Sequence, residues 1–273
     1  MTYFGFLLQF IVVPIIILLV VHFGFNRLGR PVAPPALSGL PFVPVLLGHM
    51  LVALIYTTPW DNYLVASGVW TYDRDLVSGI VIGWVPIEEY TFFILQPIMV
   101  GLWLLLMARL LPIGPASTTF ASPNIRIRSV AGLGIFWLFW VVMLVSGWAP
   151  ATYMSLILAW ALPPVLLQFA FGADILWRYR TLLFWALVPP VLYLSFADAL
   201  AIGSGTWTID PAQSFNVFIG GVLPVEEFVF FLMTSLLLVF GVTLVMAVES
   251  QRRLRDELLP WLNDRFKRGV ADH

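Results

Sequence analysis

The chain has 273 residues, of which 60% are hydrophobic and only 11% charged, and its mean hydropathy is +0.94. Soluble domains run near about 25% charged, so the composition excludes a soluble globular protein and reads as an integral membrane one. Cysteine is absent and only three histidines occur, one of them terminal (His273), against a net charge of −1; disulfides, thiolate metal sites and cysteine nucleophiles are excluded, and neither a metal nor a nucleic-acid partner is expected.

Apolar runs of about twenty residues read as spanning helices, and seven are expected. The first, at 3–25, has no basic start and no small-residue cleavage site, so it reads as a retained anchor rather than a cleaved signal. The second, at 37–58, carries His49, a lone polar residue of the kind usually satisfied within a core. The third, at 76–110, contains Pro86-Ile87-Glu88-Glu89. At 1.5 Å per residue, about 35 residues reach roughly 50 Å, against a hydrocarbon thickness of roughly 30 Å. A break at Pro86 is therefore expected, with a short apolar segment entering before the full span. The stretch 112–128 is rich in Pro, Ser and Thr and reads as a boundary. Spans follow at 127–147, 151–171 and 181–200. The seventh, at 214–248, is again too long and contains Pro224-Val225-Glu226-Glu227, so a second break is expected at Pro224. Beyond it, Leu254, Leu258, Trp261, Leu262 and Phe266 lie among basic residues, the pattern of a surface-lying amphipathic helix.

Basic residues set orientation. Arg27, Arg30, Arg109, Arg126, Arg128, Arg178, Arg180, Arg252, Arg253, Arg255, Arg265, Lys267 and Arg268 all fall on one side of a seven-span chain, and only Arg74 falls on the other. The expectation is an N-terminus outside and a cytoplasmic C-terminus in the cell membrane. The outer loops carry Asp61, Asp73, Asp75, Asp198 and Asp210 instead.

The two halves repeat. Asp61 and Asp198, Gly68 and Gly205, Trp70 and Trp207, Thr71 and Thr208, and Asp73 and Asp210 are each 137 positions apart, while the glutamate pairs are 138 apart, so one residue is inserted in between. The expected fold is all-α: two three-helix repeats (1–111 and 151–248), a linker with the fourth helix (112–150) and a tail (249–273). Because a three-helix unit would invert if fused directly, the fourth span restores direction. The repeats are then parallel, about an axis along the membrane normal, with both glutamate pairs at one depth.

Four carboxyl groups in such a setting are costly. A charged residue at the centre of a spanning helix costs roughly 2.5–3.5 kcal/mol. Acids in a first helical turn recover only about 0.3–1 kcal/mol from the dipole, up to ~2 when partly buried. Capping by proline and acid thus explains where the acids sit but not why acids are used. Paired, desolvated carboxyls suit acid–base chemistry, one holding a proton while its neighbour is charged. Adjacent helical residues point about 100° apart, and Glu88 and Glu226 are expected to face a cavity while Glu89 and Glu227 brace them. Asp61 and Asp198, which follow span ends, read as supporting partners. Asp73 and Asp210 read as loop or cap residues. Trp70 and Trp207 are interfacial belt residues or, if they line a cavity, faces for a cation. A proton-coupled transporter uses the same elements and is the rival from another class; a retinal protein would need an intramembrane lysine, and none is present.

These residues resemble the lycopene cyclase domain family, found as two small subunits, as a fused protein, or joined to a phytoene synthase. Thr58-Pro59-Trp60-Asp61-Asn62-Tyr63 is similar to that family's outer-loop signature. Pro86-Ile87-Glu88-Glu89-Tyr90-Thr91-Phe92-Phe93 and Pro224-Val225-Glu226-Glu227-Phe228-Val229-Phe230-Phe231 are similar to its catalytic motif. The second half keeps Asp198 but not the Trp-Asp-Asn run. The resemblance covers residues 1–248 and implies the fused form, an isomerase-type enzyme of carotenoid biosynthesis. It implies cyclisation of lycopene, drawn from the bilayer, to β-carotene by Glu88, Glu89, Glu226 and Glu227, supported by Asp61, Asp198, Pro86 and Pro224. Tyr90, Phe92, Phe228 and Phe230 would then join the tryptophans in lining the cation. No cofactor is implied, and other carotenoid-pathway enzymes are conceivable partners. An ε- or γ-type ring, or a C50 substrate, stays open within the family.

Overall fold

The computed structural model describes residues 1–116 and 123–258. Among these, seven helices are long and apolar enough to cross a membrane. They are α1 (Tyr3–Arg27, with a π-turn at Leu8–Val12), α2 (Phe42–Ala66), α3 (Ile87–Leu110), α4 (Pro123–Val145), α5 (Thr152–Arg178), α6 (Arg180–Gly203) and α7 (Val225–Met246). A short helix, α8 (Val248–Arg253), follows. The central residues of the 112–128 linker and the tail positions Trp261, Leu262 and Phe266 lie outside the described residues.

Two expectations about span limits are corrected. The segments before Pro86 and Pro224 are not helical. Each folds as a short hairpin: β2 (Val81–Ile82) with β3 (Val85–Pro86), and β5 (Phe218–Ile219) with β6 (Leu223–Pro224). Pro86 and Pro224 close these strands and stand just before the first helical residue. The apolar run is long because the hairpin sides are themselves apolar, with Ile80, Ile82, Trp84, Phe218 and Ile219 exposed. The first turn spans two residues, Gly83 and Trp84, and the second three, Gly220, Gly221 and Val222. That extra turn residue is the insertion that changes the spacing from 137 to 138.

The second correction concerns α2 and α6, which run past their expected ends to Ala66 and Gly203. Asp61 is therefore inside a helix, not after one, and Asp198 likewise lies within α6 rather than beyond its end, already inside the expected limits of 181–200. Their surroundings are protein rather than lipid, so hydropathy drops while the helix continues. Each helix stops at a glycine with positive φ, Gly68 (73°) and Gly205 (74°), the left-handed ending that disfavours a side chain. Matching bonds follow from Val69 N–H to Leu64 O and from Thr206 N–H to Ala201 O, both 3.0 Å.

Helices α3 and α7 form the buried centre and pack on each other as well as on α2 and α6, whereas α4 lies against α5 at the periphery. Above the centre, β1 (Trp70–Tyr72) pairs antiparallel with β4 (Trp207–Ile209), Thr71 opposite Thr208. Their hydroxyls are 2.7 Å apart. At the other end, buried Arg253 of α8 makes a bidentate pair with Asp174 of α5 (2.8 and 2.5 Å) and donates to Phe171 O. Beside this pair α5 kinks at Gly172. Tyr179 donates to Glu249 (3.0 Å); burial and then that carboxylate push its hydroxyl above the ordinary phenol range.

Candidate active site

Each glutamate pair occupies the first turn of its helix, where free backbone N–H groups and the dipole favour carboxylates. All four side chains are buried, and neighbours on the turn do different things. Glu88 Oε1 accepts the Ser78 N–H at 2.6 Å, and Glu226 Oε1 accepts the Phe215 N–H at 2.7 Å. These matched bonds tie each hairpin loop to its helix. Glu89 and Glu227 face the other way, into one cavity between the halves, together with Asp198. The expected assignment is thus reversed: Glu88 and Glu226 brace, and Glu89 and Glu227 face inward. The loop N–H groups decide it, since they approach from the side of Glu88 and Glu226.

Aromatic faces wall the cavity. Trp70, Trp207, Phe92 and Phe230 line it, with Tyr3, Phe6, Tyr72 and Phe231. Trp70 meets Phe230 edge-on at 5.7 Å, and Trp60 stacks on the same ring at 5.8 Å. Phe6 meets Trp207 edge-on at 5.1 Å. Tyr90 is elsewhere: its hydroxyl donates to Ile82 O (2.8 Å) and accepts from Asn62, which clamps the first hairpin. Phe228 is not among the lining residues.

The sequence reading missed the phenols. Tyr72 donates to Glu89 Oε1 and Tyr153 to Glu227 Oε1, both at 2.8 Å. Burial, and then the Glu89 carboxylate, hold the Tyr72 hydroxyl well above the usual phenol range, so it stays a donor. Tyr3 and Tyr153 open the first helices of the two halves, and a repeat comparison extended to those starts, 150 positions apart, would have found them.

The aspartates are not equivalent. Asp198 Oδ1 accepts the Trp207 indole N–H at 3.0 Å. Asp61 is fully buried, and neither oxygen has a hydrogen-bond partner among the described residues. Asp73 and Asp210 accept backbone N–H groups two residues on (2.9 and 3.0 Å), the loop role expected of them. His49 bonds Val45 O at 2.8 Å. The cavity measures about 30 Å³, space for about two waters. A hydrocarbon end must displace aromatic side chains to enter. The chemistry available is proton transfer between carboxyls in a water-poor, cation-tolerant chamber.

A lycopene beta-cyclase of Halobacterium salinarum is 38% identical over 199 residues, covering 71% of this chain and 79% of that protein. The chain belongs to the lycopene cyclase family. The chain is also 38% identical over 198 residues to a bifunctional lycopene cyclase/phytoene synthase of Podospora anserina, covering 70% of this chain and 33% of the relative. A bifunctional protein of the same description from Sporisorium reilianum is 33% identical over 223 residues, 76% of this chain and 31% of its own. The chain thus spans about a third of the length of these fungal relatives. No protein-family model and no solved structure matches it.

Proposed function

We propose that the chain is a lycopene β-cyclase, converting the linear ends of lycopene to β-rings by acid–base chemistry without net redox change, through one-ring γ-carotene to β-carotene. The observation that carries this reading is that Glu89 and Glu227, one from each half, face a single aromatic-walled chamber. One carboxyl adds its proton to the terminal alkene. The tertiary cation is attacked by the neighbouring double bond, which closes a six-membered ring, and the other carboxylate takes a ring proton. One proton enters and one leaves, so the product is an isomer. The indole and phenyl faces stabilise the cation, and a closed chamber keeps out water that would trap it. Tyr72, Tyr153 and Trp207 position the carboxyls by hydrogen bonds, Glu88 and Glu226 hold the loops over them, and Asp61, buried with no hydrogen-bond partner among the described residues, serves as a supporting acid. Positioned proton transfer of this kind is worth about 10²–10⁴-fold.

The proposed frame is two parallel repeats about an axis along the membrane normal, N-terminus outside and C-terminus cytoplasmic in the cell membrane. Supporting it are the one-sided basic residues, the β1–β4 register centred on Thr71 and Thr208, and the duplicated loop-to-glutamate bonds. The test is conversion of lycopene by detergent-purified protein in D₂O, with no gradient present. The expected product carries one deuterium per ring. Absence of conversion, or rings formed without deuterium, would contradict the reading.

A further inference from the structure

The duplicated frame is not duplicated in its openings. A cavity of about 130 Å³ between α2, α3, α5 and α7 shares Phe92 and Phe230 with the carboxyl chamber. It also shares His49, Val52, Pro164 and Gln168 with a wider groove of about 530 Å³ that opens between α2 and α5. Through these shared residues the three spaces adjoin in series, from the groove on the flank of the helix bundle to the chamber of Glu89 and Glu227. The corresponding place in the other half, between α1 and α6, holds a pocket of about 540 Å³ that shares no lining residue with the chamber or the 130 Å³ cavity.

One residue pair accounts for the difference. At the 138-residue spacing, Trp103 corresponds to Gly241. The Trp103 indole N–H donates to Trp185 O at 2.8 Å and closes α3 onto α6. Gly241 leaves room on α7 that the His49 ring fills, and a Cβ there would lie 2.4 Å from His49 Nε2. A bulky plug on one side is thus replaced on the other by a small residue and a mid-span histidine that edges the passage.

We infer that a single lateral portal between α2 and α5 admits the linear polyene from the bilayer, and that both ends of the molecule use it in turn. The inference rests on the cyclase reading. Phe92 and Phe230 stand where the portal meets the chamber, and their displacement makes room for the incoming end. Gln96 lines the passage, is 4% exposed, and its Nε2 has no partner among the described residues. An amide N–H meets a polyene π face favourably, if weakly, whereas a saturated acyl chain offers it nothing; this favours polyene over lipid tails. With one portal, the one-ring product backs out and re-enters by its linear end before the second ring forms.

The test uses full-length protein in detergent supplied with lycopene. Gly48 lines the groove, and a Cβ built on it meets nothing within 4 Å, so Gly48→Phe puts a ring into the groove from a position whose Cβ is unobstructed. Its rates of first- and second-ring formation are expected to fall together by about tenfold or more, the effect of obstructing a tight passage. Gly48→Ala and, in the opposite pocket, Val13→Phe are expected to stay within about twofold. Val52→Phe narrows the same passage from the next turn and replaces Gly48→Phe should that variant lose its wild-type elution profile. Wild-type rates in both passage variants, a loss in Val13→Phe instead, or a fall in only one ring would overturn the single portal. Failure of the unmodified protein to convert lycopene would overturn the cyclase reading instead.

Discussion

At the scale of residues, the two glutamates of each motif are separated by what reaches them. Glu88 is taken by a loop N–H and Glu89 by a phenol facing the cavity. Leaving a buried polar group without its partner costs about 1–3 kcal/mol. Glu88→Gln keeps an acceptor for Ser78 but puts an amide N–H in place of the second carboxyl oxygen. It is therefore expected to lower the thermal unfolding midpoint in detergent while retaining ring formation within about tenfold of wild type. Complete loss of product with an unchanged midpoint would contradict a bracing role. The four acids and their cost were legible from the sequence, because a repeated carboxyl pair in an apolar run has no cheap explanation. Their orientation was not, since it depends on where Ser78 and Phe215 arrive, and those loops follow no periodic pattern. Tyr153 and Tyr3 were hidden for a related reason: an aromatic at a span start reads as an interfacial anchor.

At the scale of elements, hydropathy located all seven helices but misjudged their ends wherever burial in protein replaced burial in lipid. An apolar hairpin reads like apolar helix, so β2 and β3 were absorbed into the third span. A helix turn bearing a buried aspartate reads like a loop, so the last turns of α2, with Asp61, were cut off, while α6 was shortened only at its last residues. The clamp between α5 and α8 was equally invisible, since Asp174 and Arg253 are 79 positions apart. It secures the kinked end of α5 with a buried ion pair. Removing one partner of such a pair costs about 3–5 kcal/mol, while replacing both with apolar residues is often neutral or better. Arg253→Ala is expected to lower the unfolding midpoint sharply, and Asp174→Leu with Arg253→Met to recover most of it. Equal destabilisation by the single and double changes would show that the charge pair is not what holds the end together.

For the whole molecule, duplication brings two carboxyls to one cavity, and divergence makes the halves unequal. Among the described residues only the first half clamps its hairpin through Asn62 and only the second pairs its aspartate with a tryptophan, while Trp103 bonds α3 to α6 where Gly241 leaves room for His49. We propose that such a molecule works as one composite site rather than as one site per half. The most direct measurement is the product profile of Glu89→Gln and Glu227→Gln, each expressed singly in lycopene-accumulating cells. Each change alone is expected to abolish both rings, a loss of about 100-fold or more, leaving lycopene as the carotenoid recovered. Accumulation of a one-ring carotene from each variant would mean that every half cyclises one end by itself, and the shared chamber would not be the site of the reaction.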